Sequence, residues 1–108
     1  MSVYQRSNTP SCANMKISNT PISGLKLIEF SRFEDQRGFL VRLFCEDTLS
    51  SVLNGRKINQ INHTKTKLAG TLRGMHYQRA PHAEMKIIKC IKGRVWDVAI
   101  DLRSQSET

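Results

Sequence analysis

The alternation of hydrophobic and polar positions predicts short strands along most of the chain. Apolar and aromatic side chains recur at close intervals in residues 25–30, 38–44, 58–64, 71–78, 86–92 and 94–102. Turn residues, such as Ala69-Gly70 and Lys92-Gly93, separate several of these segments. The last segment has the clearest period of two, and one of its faces carries four side chains that we expect in the core: Trp96, Val98, Ile100 and Leu102. About six strands joined by tight turns predict an all-β sandwich or barrel.

Two segments depart from this strand pattern. Residues 46–53 predict a short helix that ends at Asn54-Gly55. The first twenty residues are rich in Ser, Thr and Asn and lack apolar periodicity, which predicts a disordered tail over 1–20 followed by one domain over 21–108. A jelly roll needs about eight strands. We therefore expect an incomplete roll, whose missing strands come from a partner chain or from a longer version of the protein.

Charge favours an anionic partner. The 108 residues contain 17 Lys and Arg against nine Asp and Glu, a net charge of +8. Residues 48–83 contain no acid and six bases: Arg56, Lys57, Lys65, Lys67, Arg73 and Arg79. A solvated basic surface, a small phosphorylated ligand and nucleic acid all fit this pattern. Nucleic acid is disfavoured, because no basic strand is interleaved with aromatic side chains.

Composition also argues against other classes of protein. No apolar run approaches the roughly 18 residues of a membrane helix, and no basic-then-apolar leader opens the chain, so we expect a cytoplasmic protein without a membrane partner. Three widely spaced cysteines, Cys12, Cys45 and Cys90, argue against both a disulfide framework and a zinc ribbon.

Five motifs, in order, resemble the dTDP-4-dehydrorhamnose 3,5-epimerase family. They are PISGLKLIE at 21–29, DQRGF at 35–39, QINH at 60–63, LRGMHYQ at 72–78 and the run from Lys86 through DVAIDLR at 97–103. The resemblance implies a cupin-type antiparallel jelly roll (a double-stranded β-helix), incomplete at its C-terminus, and a homodimer. It also implies a dTDP-linked 4-keto-6-deoxy sugar as substrate, in rhamnose-type deoxysugar biosynthesis.

The resemblance further implies a role for each matching residue. His76 corresponds to the base that removes a hydrogen acidified by the neighbouring keto group, and imidazole suits this role because its ordinary pKa lies near neutral pH. Lys86 corresponds to a cation that stabilises the enolate. Four residues correspond to substrate-binding positions. Arg37 and Arg73 would contact the phosphates, and Gln60 and Asn62 would line the same cavity. The reaction requires no metal or organic cofactor.

The sequence also departs from the family pattern. Arg42 stands where a glutamate is usual, and Glu84-Met85 where Gln-Gly is common. The family's acid tyrosine and the aspartate that orients its base lie on later strands, and Tyr77 is expected to point away from His76. We therefore expect little turnover from this chain alone. The alternative function is a catalytically incomplete nucleotide-sugar-binding or dimerisation partner.

Two further expectations concern His76. Arg73 and His76 are three apart and would lie on opposite faces of a regular strand, so we expect a bulge or twist at Gly74 if both reach one cavity. A metal-dependent cupin would draw its ligands from His63, His76, His82 and Glu84, although the HxH pair of the common cupin metal site is absent.

Overall fold

The computed structural model describes residues 15–108. Its elements, in chain order, are β1 (Met15–Asn19), β2 (Lys26–Phe30), β3 (Arg32–Asp35), β4 (Gly38–Val41) and the helix α1 (Glu46–Leu53). The strands form two separate two-stranded antiparallel sheets, β1 with β2 and β3 with β4. The architecture is therefore small antiparallel sheets with one short helix.

The β1–β2 hairpin is closed by local hydrogen bonds. Its register places Ile17 opposite Ile28 and Asn19 opposite Lys26. In the connecting turn the Leu25 N–H donates to the Ile22 carbonyl at 3.1 Å, and Gly24 has a φ of +87°. A β-turn with positive φ at its third residue favours glycine there. β2 confirms the strand predicted at 25–30, whereas β1 lies inside the segment predicted as a disordered tail. Residues 1–14 of that tail lie outside the described residues.

The helix matches its predicted boundaries. Glu46 and Asp47 place negative charge in its first turn, which the helix dipole favours. At its other end Asn54 adopts a left-handed conformation with φ of 47°, and its N–H donates to the Ser50 carbonyl at 2.9 Å. Asparagine tolerates this conformation better than most residues. The prediction that Asn54-Gly55 ends the helix is therefore confirmed.

Burial is confined to one helix face. Leu49 and Leu53 are the buried apolar residues of the described chain. They are four apart and therefore lie on the same face of α1. The predicted core face is wrong: Trp96 is 92% exposed, and Val98, Ile100 and Leu102 are also exposed. A strand buries its apolar face only against another layer, and these residues have no such layer in the described chain.

The chain divides into two compact units. One contains residues 1–59 and 101–108, described from residue 15 onward, and the other contains residues 60–100. Within 60–100 the structure has turns but no helix or strand, so the strands predicted there are not formed. The predicted turns at Ala69-Gly70 and Lys92-Gly93 are present as a turn and a bend. The turns form without the strands because a turn needs only its own residues, whereas a strand needs hydrogen bonds from a neighbouring strand.

No helix in the described part of the chain is both long enough and apolar enough to cross a membrane. The one helix found there, α1, has eight residues.

Candidate active site

Arg37 lies in the tight turn between β3 and β4 and is held by Asp35. Its backbone N–H donates to Asp35 Oδ1 at 2.8 Å, and its guanidinium donates to Oδ2 through Nε at 3.1 Å and through Nη2 at 2.5 Å. These hydrogen bonds, those of the guanidinium first, hold the pKa of Asp35 below its ordinary value. The Arg37 side chain is still 90% exposed. Its outer face is therefore open to a ligand while Asp35 fixes its direction.

Arg73 and His76 lie on either side of Gly74, which has an unusual backbone conformation. Gly74 has a φ of +112°, a conformation that residues with a side chain rarely adopt. A Cβ at this position would stand 3.5 Å from His76 Nδ1. Both Arg73 and His76 are exposed. No strand forms around Gly74, so there is no bulge in a strand, and the expectation that Arg73 and His76 reach one cavity stays a prediction.

Lys86 forms an ion pair with a neighbour two residues away. Its ammonium lies 3.1 Å from Glu84 Oε1, and both side chains are about half exposed. The Gln78 side-chain amide, oriented with its nitrogen toward Glu84, donates to Oε1 at 2.9 Å and lies 3.3 Å from Oε2. The same nitrogen donates to the His82 carbonyl at 3.1 Å. Lys86 is therefore part of a charged cluster, which we call the Gln78–Glu84–Lys86 cluster.

Among the described residues, no hydrogen bond or ion pair joins any two of the six predicted site residues; Arg37 pairs with Asp35 and Lys86 with Glu84. Gln60 and Asn62 are exposed in an irregular segment. Among residues 15–108, no hydrogen bond or ion pair joins His76 to Lys86. Arg37 belongs to the first unit, and the other five candidates belong to residues 60–100: Gln60, Asn62, Arg73, His76 and Lys86. The described residues also contain no group of three or more His, Cys, Asp or Glu that could hold a metal ion.

Sequence reasoning missed Glu84 as the ion-pair partner of Lys86 and Gln78 as a contact of Glu84. It noted Glu84 only as a departure from the family pattern and left Gln78 without a role. Two signals in the sequence point to the cluster: Glu84 is the first acid after the long basic segment, and the Pro81 turn lies between Gln78 and Glu84. That turn is closed by the His82 N–H, which donates to the Arg79 carbonyl at 2.9 Å. It returns the chain toward Gln78.

Asp101 organises a second polar cluster, in the first unit. Its carboxylate accepts hydrogen bonds from the Arg103 guanidinium, at 2.5 to 3.0 Å, and from Ser106 Oγ at 2.6 Å. The Arg103 side chain, first among these donors, holds the pKa of Asp101 far below its ordinary value, and Asp101 in turn raises the pKa of Arg103. Arg103 Nη2 also donates to the Ser23 carbonyl at 2.6 Å. The cluster therefore ties residues 101–106 to the β1–β2 turn, in agreement with a structural role for Asp101.

The site residues lie inside a segment that matches one family of nucleotide-sugar isomerases. The family model described as dTDP-4-dehydrorhamnose 3,5-epimerase matches residues 19–108, so the chain belongs to this family. No solved structure matches the chain.

Curated relatives carry the same description. The dTDP-4-dehydrorhamnose 3,5-epimerases of Shigella flexneri and Salmonella typhimurium are each 38% identical to the chain over 96 residues. The matches cover 87% of this chain and 52% and 51% of the two relatives. The enzyme of Escherichia coli K12 is 34% identical over 94 residues, which cover 85% of this chain and 50% of that protein. The chain therefore spans about half the length of these relatives.

Proposed function

We propose that this chain carries the base half of a 3,5-epimerase site for a dTDP-linked 4-keto-6-deoxy sugar. The observation that carries the proposal is the family match over residues 19–108, because that segment contains all six candidate residues. The named activity of the relatives supports the same reaction class, epimerisation next to a keto group.

In the proposed reaction His76 removes a hydrogen from a carbon next to the keto group. The electron pair of that C–H bond moves to the carbonyl and forms an enolate, whose negative oxygen is stabilised by the Lys86 ammonium. A water molecule on the opposite face returns a proton to the same carbon, and His76 gives the proton it removed to solvent, which completes the inversion. His76 and Lys86 are suited to these roles in part because neither side chain is buried, so a sugar has access to both.

Four further residues would hold the substrate. Arg37 and Arg73 would contact the diphosphate side, since a guanidinium donates two parallel hydrogen bonds to phosphate. Gln60 and Asn62 would supply polar contacts to the sugar. In the proposed assembly these groups come together in a cupin-type jelly roll, as a homodimer in the cytoplasm. The two small antiparallel sheets are compatible with an all-β fold.

The second candidate function is a nucleotide-sugar-binding or dimerisation partner without turnover. It is favoured by the exposed apolar side chains of the 60–100 unit, such as Leu72 at 95%, which offer a surface to another chain.

Solvent deuterium incorporation separates the two functions. The chain is incubated with the dTDP-linked 4-keto-6-deoxy sugar in D₂O, and deuterium at the carbons flanking the keto group is followed by NMR. We expect exchange that falls about 10²- to 10⁴-fold in His76→Asn, the typical worth of a general base. His63→Asn is the matched control, since His63 is another exposed histidine of the same unit.

Three outcomes are distinct. Exchange that survives in His76→Asn contradicts the role of His76. Sugar binding without exchange in the wild-type chain supports the binding partner. Absence of both binding and exchange overturns the epimerase and the sugar-binding partner.

A further inference from the structure

Glu84 is held from two sides in the 60–100 unit. Lys86 Nζ approaches its Oε1 at 3.1 Å, and the Gln78 amide nitrogen donates to the same oxygen at 2.9 Å. An amide nitrogen has two hydrogens and can donate two hydrogen bonds. The Gln78 nitrogen donates the second one to the His82 carbonyl at 3.1 Å. Gln78 therefore spans the base of the turn that separates it from Glu84, and this contact fixes the direction of the carboxylate.

The position of Glu84 has an electrostatic consequence for Lys86. A carboxylate at 3.1 Å attracts the ammonium and offsets part of its charge for any other anion that approaches. Both side chains are about half exposed, so water and salt screen the pair. The pair therefore changes the dissociation constant of a bound anion by a few-fold rather than by many orders of magnitude.

We propose that Glu84 is a positioning residue that acts on the candidate site through Lys86, holding the ammonium in place and weakening its attraction for an anionic ligand. The inference rests on the proposed function, in which the ligand is a dTDP-linked sugar and Lys86 faces its developing negative charge. Gln78 is the anchor that keeps Glu84 in this position.

A double-mutant cycle tests the proposal. The dissociation constant of the dTDP-linked 4-keto-6-deoxy sugar is measured by NMR titration for the wild-type chain, Glu84→Gln, Lys86→Met and the double variant at low ionic strength. We expect Glu84→Gln to tighten binding by about two- to fivefold, the range that corresponds to an exposed ion pair. This gain should disappear in the Lys86→Met background and shrink at high salt. Glu29→Gln is the matched control, because Glu29 forms a similarly exposed pair with Lys16 at 3.3 Å.

The outcomes separate this proposal from the proposed function. Sugar binding that is unchanged by Glu84→Gln, or changed equally with and without Lys86, overturns the role of Glu84 and leaves the proposed function standing. Failure of the wild-type chain and every variant to bind the sugar overturns the proposed function and this role with it. The NMR resonances of the Gln78 side-chain amide report its contact with Glu84 directly. We expect them to shift in Glu84→Gln and to stay unchanged in Glu29→Gln. No shift in Glu84→Gln refutes the role of Gln78 as the anchor of Glu84.

Discussion

Replacing Leu49 by Ala should destabilise α1 even though alanine is the better helix former. Leu49 is fully buried, at 0% exposure, and forms the small core with Leu53 at 4%. A Leu→Ala change in a protein core costs about 2 to 5 kcal/mol through lost burial and the cavity left behind. With two leucines as the whole described core, its surroundings can collapse into the gap, so we expect the lower end, about 2 kcal/mol. Intrinsic propensity, taken alone, predicts a small change of opposite sign.

Amide hydrogen exchange within the helix measures this effect. The Asn54 N–H, which donates to the Ser50 carbonyl at 2.9 Å, reports opening of the last turn. A loss of about 2 kcal/mol corresponds to exchange about 30-fold faster. Leu40→Ala is the matched control, because Leu40 is 62% exposed in the same unit, and we expect a change within about 0.5 kcal/mol. Equal effects of the two substitutions, or slower exchange in Leu49→Ala, would refute the assignment of the core to this helix face.

Two further predictions concern Asp101 and Trp96. The pKa of Asp101 is lowered in the folded chain, so its contacts stabilise the chain above the ordinary aspartate pKa of about 3.9 and are lost as pH falls through the lowered value. Hydrogen exchange of the Arg103 amide should therefore accelerate only at acidic pH, as Asp101 becomes protonated. Asp101→Asn should abolish this pH dependence, and Asp97→Asn, the control, should preserve it. An unchanged pH profile in Asp101→Asn contradicts the role of Asp101 in the cluster. Trp96, the single tryptophan, is 92% exposed, so its fluorescence should match that of a solvated indole and be quenched by iodide equally before and after addition of denaturant. Emission shifted to the blue and protected from iodide would show that another layer covers it.

Local signals in the sequence predicted the local parts of the fold. The acidic first turn and Asn54-Gly55 set the bounds of α1, because dipole and capping interactions act within a few residues. The strand predicted at 25–30 formed as β2, since its partner β1 lies only a short turn away. The strand predicted at 94–102 did not form, because it would have needed hydrogen bonds from a neighbouring strand, and residues 60–100 contain none.

The candidate site, like the fold, was predicted from the sequence only in part. The motifs around His76 and Lys86 identified the family, but the contact of Gln78 with Glu84, the ion-pair partner of Lys86, depended on how the turn at 79–82 returns the chain. Which face of an apolar segment is buried was also not decided locally. The four apolar residues from Trp96 to Leu102 satisfy the period of a packed strand, yet all are exposed.

The amino-acid sequence by itself determined the helix, the turns at Ala69-Gly70 and Lys92-Gly93, the basic charge and the family of this protein. Only the tertiary structure decided that the core is the Leu49 and Leu53 face, that Gln78 contacts Glu84, the ion-pair partner of Lys86, and that Arg103 reaches the Ser23 carbonyl across 80 positions of the chain. The physical reason is the range of the interactions. Capping, turn geometry, net charge and ion pairs between residues two apart are properties of neighbouring residues. Burial and the Arg103–Ser23 hydrogen bond depend instead on which distant groups the folded backbone brings within contact distance.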